Sequence, residues 1–142
     1  MAGNTSPIFV GTPRNTGAKI SGAATNVDGS GSTSLFTADA TNGSRLHAIA
    51  ATPTDTLSAA VVARFFIEEG STYHILAEKA IPAYTPSAGS AAPTTSFLEW
   101  ADMPFLDQAE PFLTLDPGQT LYVALLTAPT NTVHFLAMGG DY

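Results

Sequence analysis

The chain has no cysteine and very little charge. Five Lys and Arg and twelve Asp and Glu are spread over 142 residues, so charged side chains make up 12% of the sequence, about half the share usual in a globular domain. The missing cysteine excludes a disulfide framework, thiol catalysis and a Cys-ligated zinc site. The few cations, Arg14, Lys19, Arg45, Arg64 and Lys79, are scattered, and the formal net charge is -7. Nucleic-acid binding is therefore not expected, because phosphate contacts need clustered Lys and Arg. No stretch approaches the roughly 20 apolar residues of a membrane span, so no membrane partner is expected. Met1 to Val10 lacks both a basic start and a long apolar run, which speaks against a secretion signal and for synthesis in the cytoplasm.

What is present is apolar and strand-like. Hydrophobic residues make up 44% of the chain, and a chain of this length buries a single core without staples. Short runs rich in Val, Ile, Phe, Tyr and Thr alternate with Gly, Pro, Asn, Asp and Ser. They predict strands over Pro7 to Val10, Ala18 to Ser21, Ser34 to Ala38, Arg45 to Ala51, Ala59 to Glu68, Tyr73 to Ile81, Phe97 to Ala101, Gln119 to Thr127 and Thr132 to Met138. The fold class is all-β: a single-domain antiparallel β-sandwich or jelly roll. Residues 1–12 form a short N-terminal arm or edge strand, and residues 13–142 form the domain.

Alternation assigns faces. Val61, Ala63, Phe65 and Ile67 share the core side of one strand, and Val62, Arg64, Phe66 and Glu68 the other side. Tyr73, Ile75, Ala77 and Ile81 are the matching core set on the next strand, reached by a hairpin through Glu69 to Thr72. A helix over Ser58 to Glu69 is the competing reading, but Val61, Val62, Phe65, Phe66 and Ile67 are β-branched or aromatic and favour a strand. In the last third, Leu121, Val123 and Leu125 lead through Ala128 to Asn131 into Val133 and Phe135, which predicts a second hairpin. Ala83 to Thr95 and Met103 to Gly118 read as irregular, the latter interrupted by Pro104, Pro111 and Pro117.

Tests for chemistry give little. Asn26 to Gly31 (NVDGSG) offers a single carboxylate, Asp28, without a loop-closing Glu, so it reads as a turn and not a calcium loop. His47, His74 and His134 lie in predicted strands without metal-ligand spacing. Glu68, Glu69, Glu78, Glu99, Asp102 and Asp107 include enough carboxylates for a glycosidase pair, but solvated strand edges are the commoner use. There is no Gly-x-Ser-x-Gly elbow and no phosphate loop. Neither a catalytic residue, a cofactor nor a metal is expected. Trp100, Tyr73, Tyr84 and Tyr122 are the groups able to stack on a sugar.

Leu115 to Leu126 (LDPGQTLYVALL), with Val133 to Tyr142 (VHFLAMGGDY) at the C-terminal end, resembles the ending of small virion structural proteins of tailed bacteriophages. Asn4 to Phe9 (NTSPIF) and Thr25 to Gly31 (TNVDGSG) are similar to their opening. The resemblance implies a sandwich or jelly roll, a homotrimer on the virion, and a non-enzymatic role as a capsid decoration or cement protein bridging major capsid subunits. The alternative is a tail- or fibre-associated attachment protein with a carbohydrate-binding sandwich. The interface candidates are Pro7, Ile8, Phe9 and Val10 for the contact with the capsid. Phe105, Leu106, Phe112, Tyr122 and Leu126 are the candidates for self-association.

Overall fold

The computed structural model describes residues 10–98 and 112–142. Their strands are β1 (Thr12–Ile20), β2 (Thr33–Thr37), β3 (Ser44–Pro53), β4 (Val61–Glu69), β5 (Thr72–Ile81), β6 (Thr95–Ser96), β7 (Leu113–Leu115), β8 (Thr120–Leu125) and β9 (Val133–Asp141). No helix occurs among the described residues. One sheet has the order β1-β9-β3-β6, with β7 pairing the same strand β3, and the other has the order β2-β8-β4-β5. All pairings are antiparallel.

The pairing is nested. β4 pairs β5, β3 pairs β6 and β7, β2 pairs β8, and β1 pairs β9. Taking β6 and β7 as two pieces of one interrupted edge, this is a long antiparallel ribbon of four strand pairs rolled into two packed sheets, which is the jelly-roll arrangement. Between the sheets lie Phe65 from β4, Phe135 from β9 and Phe97 from the segment after β6, all buried. Phe65 meets Phe97 edge-on with centroids 4.7 Å apart and Phe135 at 6.2 Å. Thr16 of β1 donates its hydroxyl to the Leu35 carbonyl of β2 at 2.6 Å, joining the two sheets at their margin.

The β4 faces follow the alternation: Val61, Ala63 and Phe65 are buried in the core and Ile67 packs against it. The β4–β5 hairpin also forms. Its turn is Gly70-Ser71, with φ of 54° and 72°, and positive φ at both central residues marks the turn whose twist suits a two-residue hairpin. The expected core set on β5, however, is half right. Phe65 faces Ala77 while Phe66 faces Ile75, so Leu76 is an extra residue in a bulge. One inserted residue flips every side chain beyond it. Ala77 and Ile81 remain on the core side, whereas Tyr73 and Ile75 turn outward.

The second expected hairpin is overturned. β8 lies between β2 and β4, and β9 lies between β1 and β3 in the opposite sheet. The link at residues 126–132 therefore crosses from sheet to sheet. Two apolar strands joined by a short turn satisfy this crossing as well as a hairpin, because each becomes a central strand. Two further corrections concern the irregular segments. Leu113–Leu115 forms β7 within Met103 to Gly118, with Leu113 and Leu115 buried. In Ala83 to Thr95, Tyr84 packs on the core and bridges Leu57 through two backbone hydrogen bonds of 2.7 and 2.9 Å. The strand expected over Phe97 to Ala101 is not found at Phe97 and Leu98: the strand there is Thr95–Ser96, ending just before them; residues 99–101 lie outside the described residues, as do residues 7–9 of the first expected strand.

Residues 21–32 form a strap across the outer side of β2-β8-β4-β5. The Ala24 amide donates to Leu125 O at 2.8 Å, and Arg64 reaches the Thr25 carbonyl at 3.2 Å. Gly29, with φ of 79°, lies against the Tyr73 ring, where a Cβ would overlap the ring carbons. This contact buries Phe66 completely on a face that would otherwise be wet. Gly29→Ala should destabilise the fold by about 1–3 kcal/mol, combining overpacking with a positive φ. Gly22→Ala, at a position with open space around it, should change stability by less than about 0.5 kcal/mol; urea unfolding of the two variants measures the difference.

Candidate functional site

The outer faces of the two sheets are unlike each other. On the strapped face, Tyr73 packs edge-on against Phe66 and Tyr122 with centroids 6.2 and 5.0 Å apart. Tyr122 donates its hydroxyl to Glu68 at 3.0 Å, and Arg64 is paired with Glu78 at 2.5 Å. Burial and the hydrogen bond to Glu68 push the Tyr122 phenol up to about 12. The tyrosines of this cluster are engaged with each other and lie half-buried under the strap.

The outer face of β1-β9-β3 has no such cover among the described residues. Leu136 and Met138 stand on the middle strand, 43% and 38% exposed. Their cross-strand neighbours are small or neutral: Gly17 and Ala50 flank Leu136, and Asn15 and Ala48 flank Met138. Large side chains beside small ones leave a shallow trough of about 670 Å³, with Lys19, Thr52 and His134 at one end. None of the outward strand positions of this sheet is acidic. At the far end Val10 lies over Gly140, and the Arg45 guanidinium stacks on Phe112 at 3.8 Å.

The expected interface residues are therefore divided. Val10 and Phe112, distant in sequence, meet the same end of this face through Gly140 and Arg45, which are cross-strand partners. Tyr122 sits in the aromatic cluster of the other face. Leu126 is half-buried beside Val62, its amide bonded to the Val62 carbonyl at 2.9 Å. Pro7, Ile8, Phe9, Phe105 and Leu106 lie outside the described residues, as does Trp100. Leu136 and Met138 were not singled out from sequence, although the alternation of Val133, Phe135 and Ala137 with His134, Leu136 and Met138 was legible there.

The metal candidates do not converge. His47 occupies the bulge of β3, His134 faces Thr52 about 15 Å along the sheet by strand rise, and His74 is on the other sheet. Among the described residues no group of three His, Asp or Glu is placed to hold an ion. Asp28 instead accepts the Ser30 amide at 2.9 Å, and the hydrogen bonds from Ser30 hold its carboxyl below the ordinary value. The NVDGSG motif thus serves as the turn of the strap. A smaller cleft of about 230 Å³ lies between the β4–β5 turn and the turn before β8, lined by Glu68, Glu69 and Asp116.

No protein-family model matches the chain, and no curated protein matches it. One solved structure that is similar, titled "Structure of infectious bursal disease virus Gt strain", aligns over 99% of this chain and 35% of that chain at 11% identity. The TM-score is 0.28, too low for a fold or a role to be transferred. This chain spans little more than a third of the length of that one.

The raised Tyr122 pKa has a stability consequence. Between about pH 10 and about pH 12 the unfolded chain loses this proton while the folded chain keeps it, so stability falls as pH rises through that window. Tyr122→Phe should remove this part of the decline. Urea unfolding at about pH 9 and about pH 11.5 compares the slopes; equal slopes in the two proteins would refute the assignment.

Proposed function

We propose that this chain is a non-enzymatic structural component of a virion that decorates a capsid lattice and stabilises it by bridging neighbouring subunits. One observation carries the reading: the outer face of β1-β9-β3 is apolar, lacks any acidic strand position and is bordered by the root of the N-terminal arm, on a chain whose net charge is -7. Interface centres are depleted in charge and enriched in Met and aromatic side chains. The jelly-roll topology and the resemblance of both chain ends to small phage virion proteins support the same role.

The arm supplies the capsid-side contact in this reading. Its root is fixed, because the Gly11 amide donates to the Asp141 carbonyl at 2.8 Å and Val10 lies over Gly140. An arm formed by residues 1–9 spans up to about 30 Å when extended, enough to cross onto an adjacent subunit. An extended arm can join the open edge of a neighbouring sheet through main-chain hydrogen bonds, with alternate side chains giving specificity.

Removal of residues 1–9 leaves β1 and its pairing with β9 complete, so the truncated protein should still fold, which a circular dichroism melt checks. Its binding to particles stripped of the native protein should fall at least about tenfold, which is about 1.4 kcal/mol. Co-sedimentation with such particles measures this, and undiminished binding would reject the arm as the capsid contact.

A further inference from the structure

Among the described residues, four large apolar side chains are exposed: Leu136, Met138, Ile75 and Val27. They fall two and two on opposite sides of the sandwich. Leu136 and Met138 stand on the outer face of β1-β9-β3. Ile75 faces outward opposite Phe66 on β4, and Val27 is on the strap that covers that side.

The charges divide in the opposite sense to each other. Among the described residues, the outward strand positions of β1-β9-β3 carry Lys19 and Arg45 and no carboxylate. On the strapped side the described residues include Glu68, Glu78 and Asp28 against a single cation, Arg64, which is already paired with Glu78. One face is thus apolar with two positive charges, and the opposite face is apolar with a net charge of about -2. Two copies of the positive face would repel each other, as would two copies of the negative one. A positive face against a negative face attracts and buries both apolar pairs.

We propose that the protein self-associates head to tail, with the Leu136–Met138 face of one copy docking on the Ile75–Val27 face of the next. This rests on the structural reading above and names one of the partners: a second copy of this chain. The strands β1, β9 and β3, of nine, nine and ten residues, present a face of roughly 30 Å by roughly 14 Å, on the order of 420 Å² before side-chain relief, which suits a weak, concentration-dependent contact at the small end of protein interfaces. The contact is heterologous, since each copy uses two different surfaces. Every docked copy therefore keeps one face open for another, as addition to a lattice requires.

Heterologous docking makes a mixing experiment decisive. Leu136→Asp and Ile75→Asp each place a charge at an exposed position, and circular dichroism melts verify that both variants fold. Analytical ultracentrifugation of the wild-type chain, without particles, should show mass rising beyond a dimer with concentration. Each variant alone should associate at least about 30-fold more weakly, the cost of burying an unpaired charge in the contact. Mixed one to one, the two variants should form a dimer and stop there, because Leu136→Asp retains the strapped face and Ile75→Asp retains the other. Three outcomes would overturn the proposal: a wild-type monomer at about 100 μM, association sensitive to only one of the two substitutions, or a mixture that stays monomeric. Should a variant fail to fold, Met138→Asp or Val27→Asp replaces it on the same face. Particle binding is not read here, so failure of self-association leaves the decoration role standing, and loss of particle binding leaves this proposal standing.

Discussion

The fold depends on the contact of Phe65, Phe97 and Phe135 between the two sheets. These three rings come from β4, from the segment after β6 and from β9, and each is buried. No local pairing brings them together. Phe65 and Phe135 are 70 positions apart in the sequence and lie in opposite sheets, so their contact exists only when the rolled ribbon is closed. Aromatic rings of this size supply the largest apolar burial per residue available to the chain. The nesting of β1 with β9 around all the other pairs follows from it: β9 can place Phe135 over Phe65 only as a central strand of the opposite sheet.

Closing the core leaves two outer faces with different fates. The chain covers one with its own strap, using Gly29 against Tyr73 and the carbonyls of Thr25 and Asn26 against Arg64. That cover lets Phe66 be as dry as any core residue. Among the described residues the other face receives Val10 and Phe112 at one end, and its centre keeps Leu136 and Met138 exposed. An exposed apolar surface on a chain with so few charges is costly for a solitary domain and useful for one that assembles. The sparse charge seen in the composition therefore has a location. Among the described residues it is sparsest on the outer face of β1-β9-β3, and the acidic excess lies on the strapped face and the turns, the complementary side of the same contact.

Much of this was legible in the sequence because strand alternation writes both faces at once. The β4 pattern gave the correct core side, and the strand reading of Ser58 to Glu69 prevailed over helix since Val61, Val62, Phe65 and Phe66 suit a pleated surface. What was not legible was long-range. Leu76 is an ordinary strand residue, and nothing in its neighbourhood marks it as the bulge that turns Tyr73 and Ile75 outward. The same Ala128 to Asn131 link can close a hairpin or cross the sandwich, and the choice is made by β3 and β4, which lie far upstream at Ser44–Pro53 and Val61–Glu69. β7 escaped notice since three residues between prolines carry too little periodicity. Leu136 and Met138 were assigned no role because an exposed apolar residue is unremarkable singly. Their meaning comes from Gly17, Ala48 and Ala50 standing beside them on strands that only the fold makes neighbours.

Hydroxyl-radical footprinting tests assembly through these faces most directly, since it reads side-chain exposure residue by residue. The protein is labelled on particles and again as a dilute isolated chain. Oxidation of Leu136, Met138 and Ile75 should fall several-fold on the particle, while Phe65 and Phe135 stay unreactive in both. Unchanged labelling of Met138 and Ile75 on the particle would show that both faces remain in water there and would contradict assembly through them.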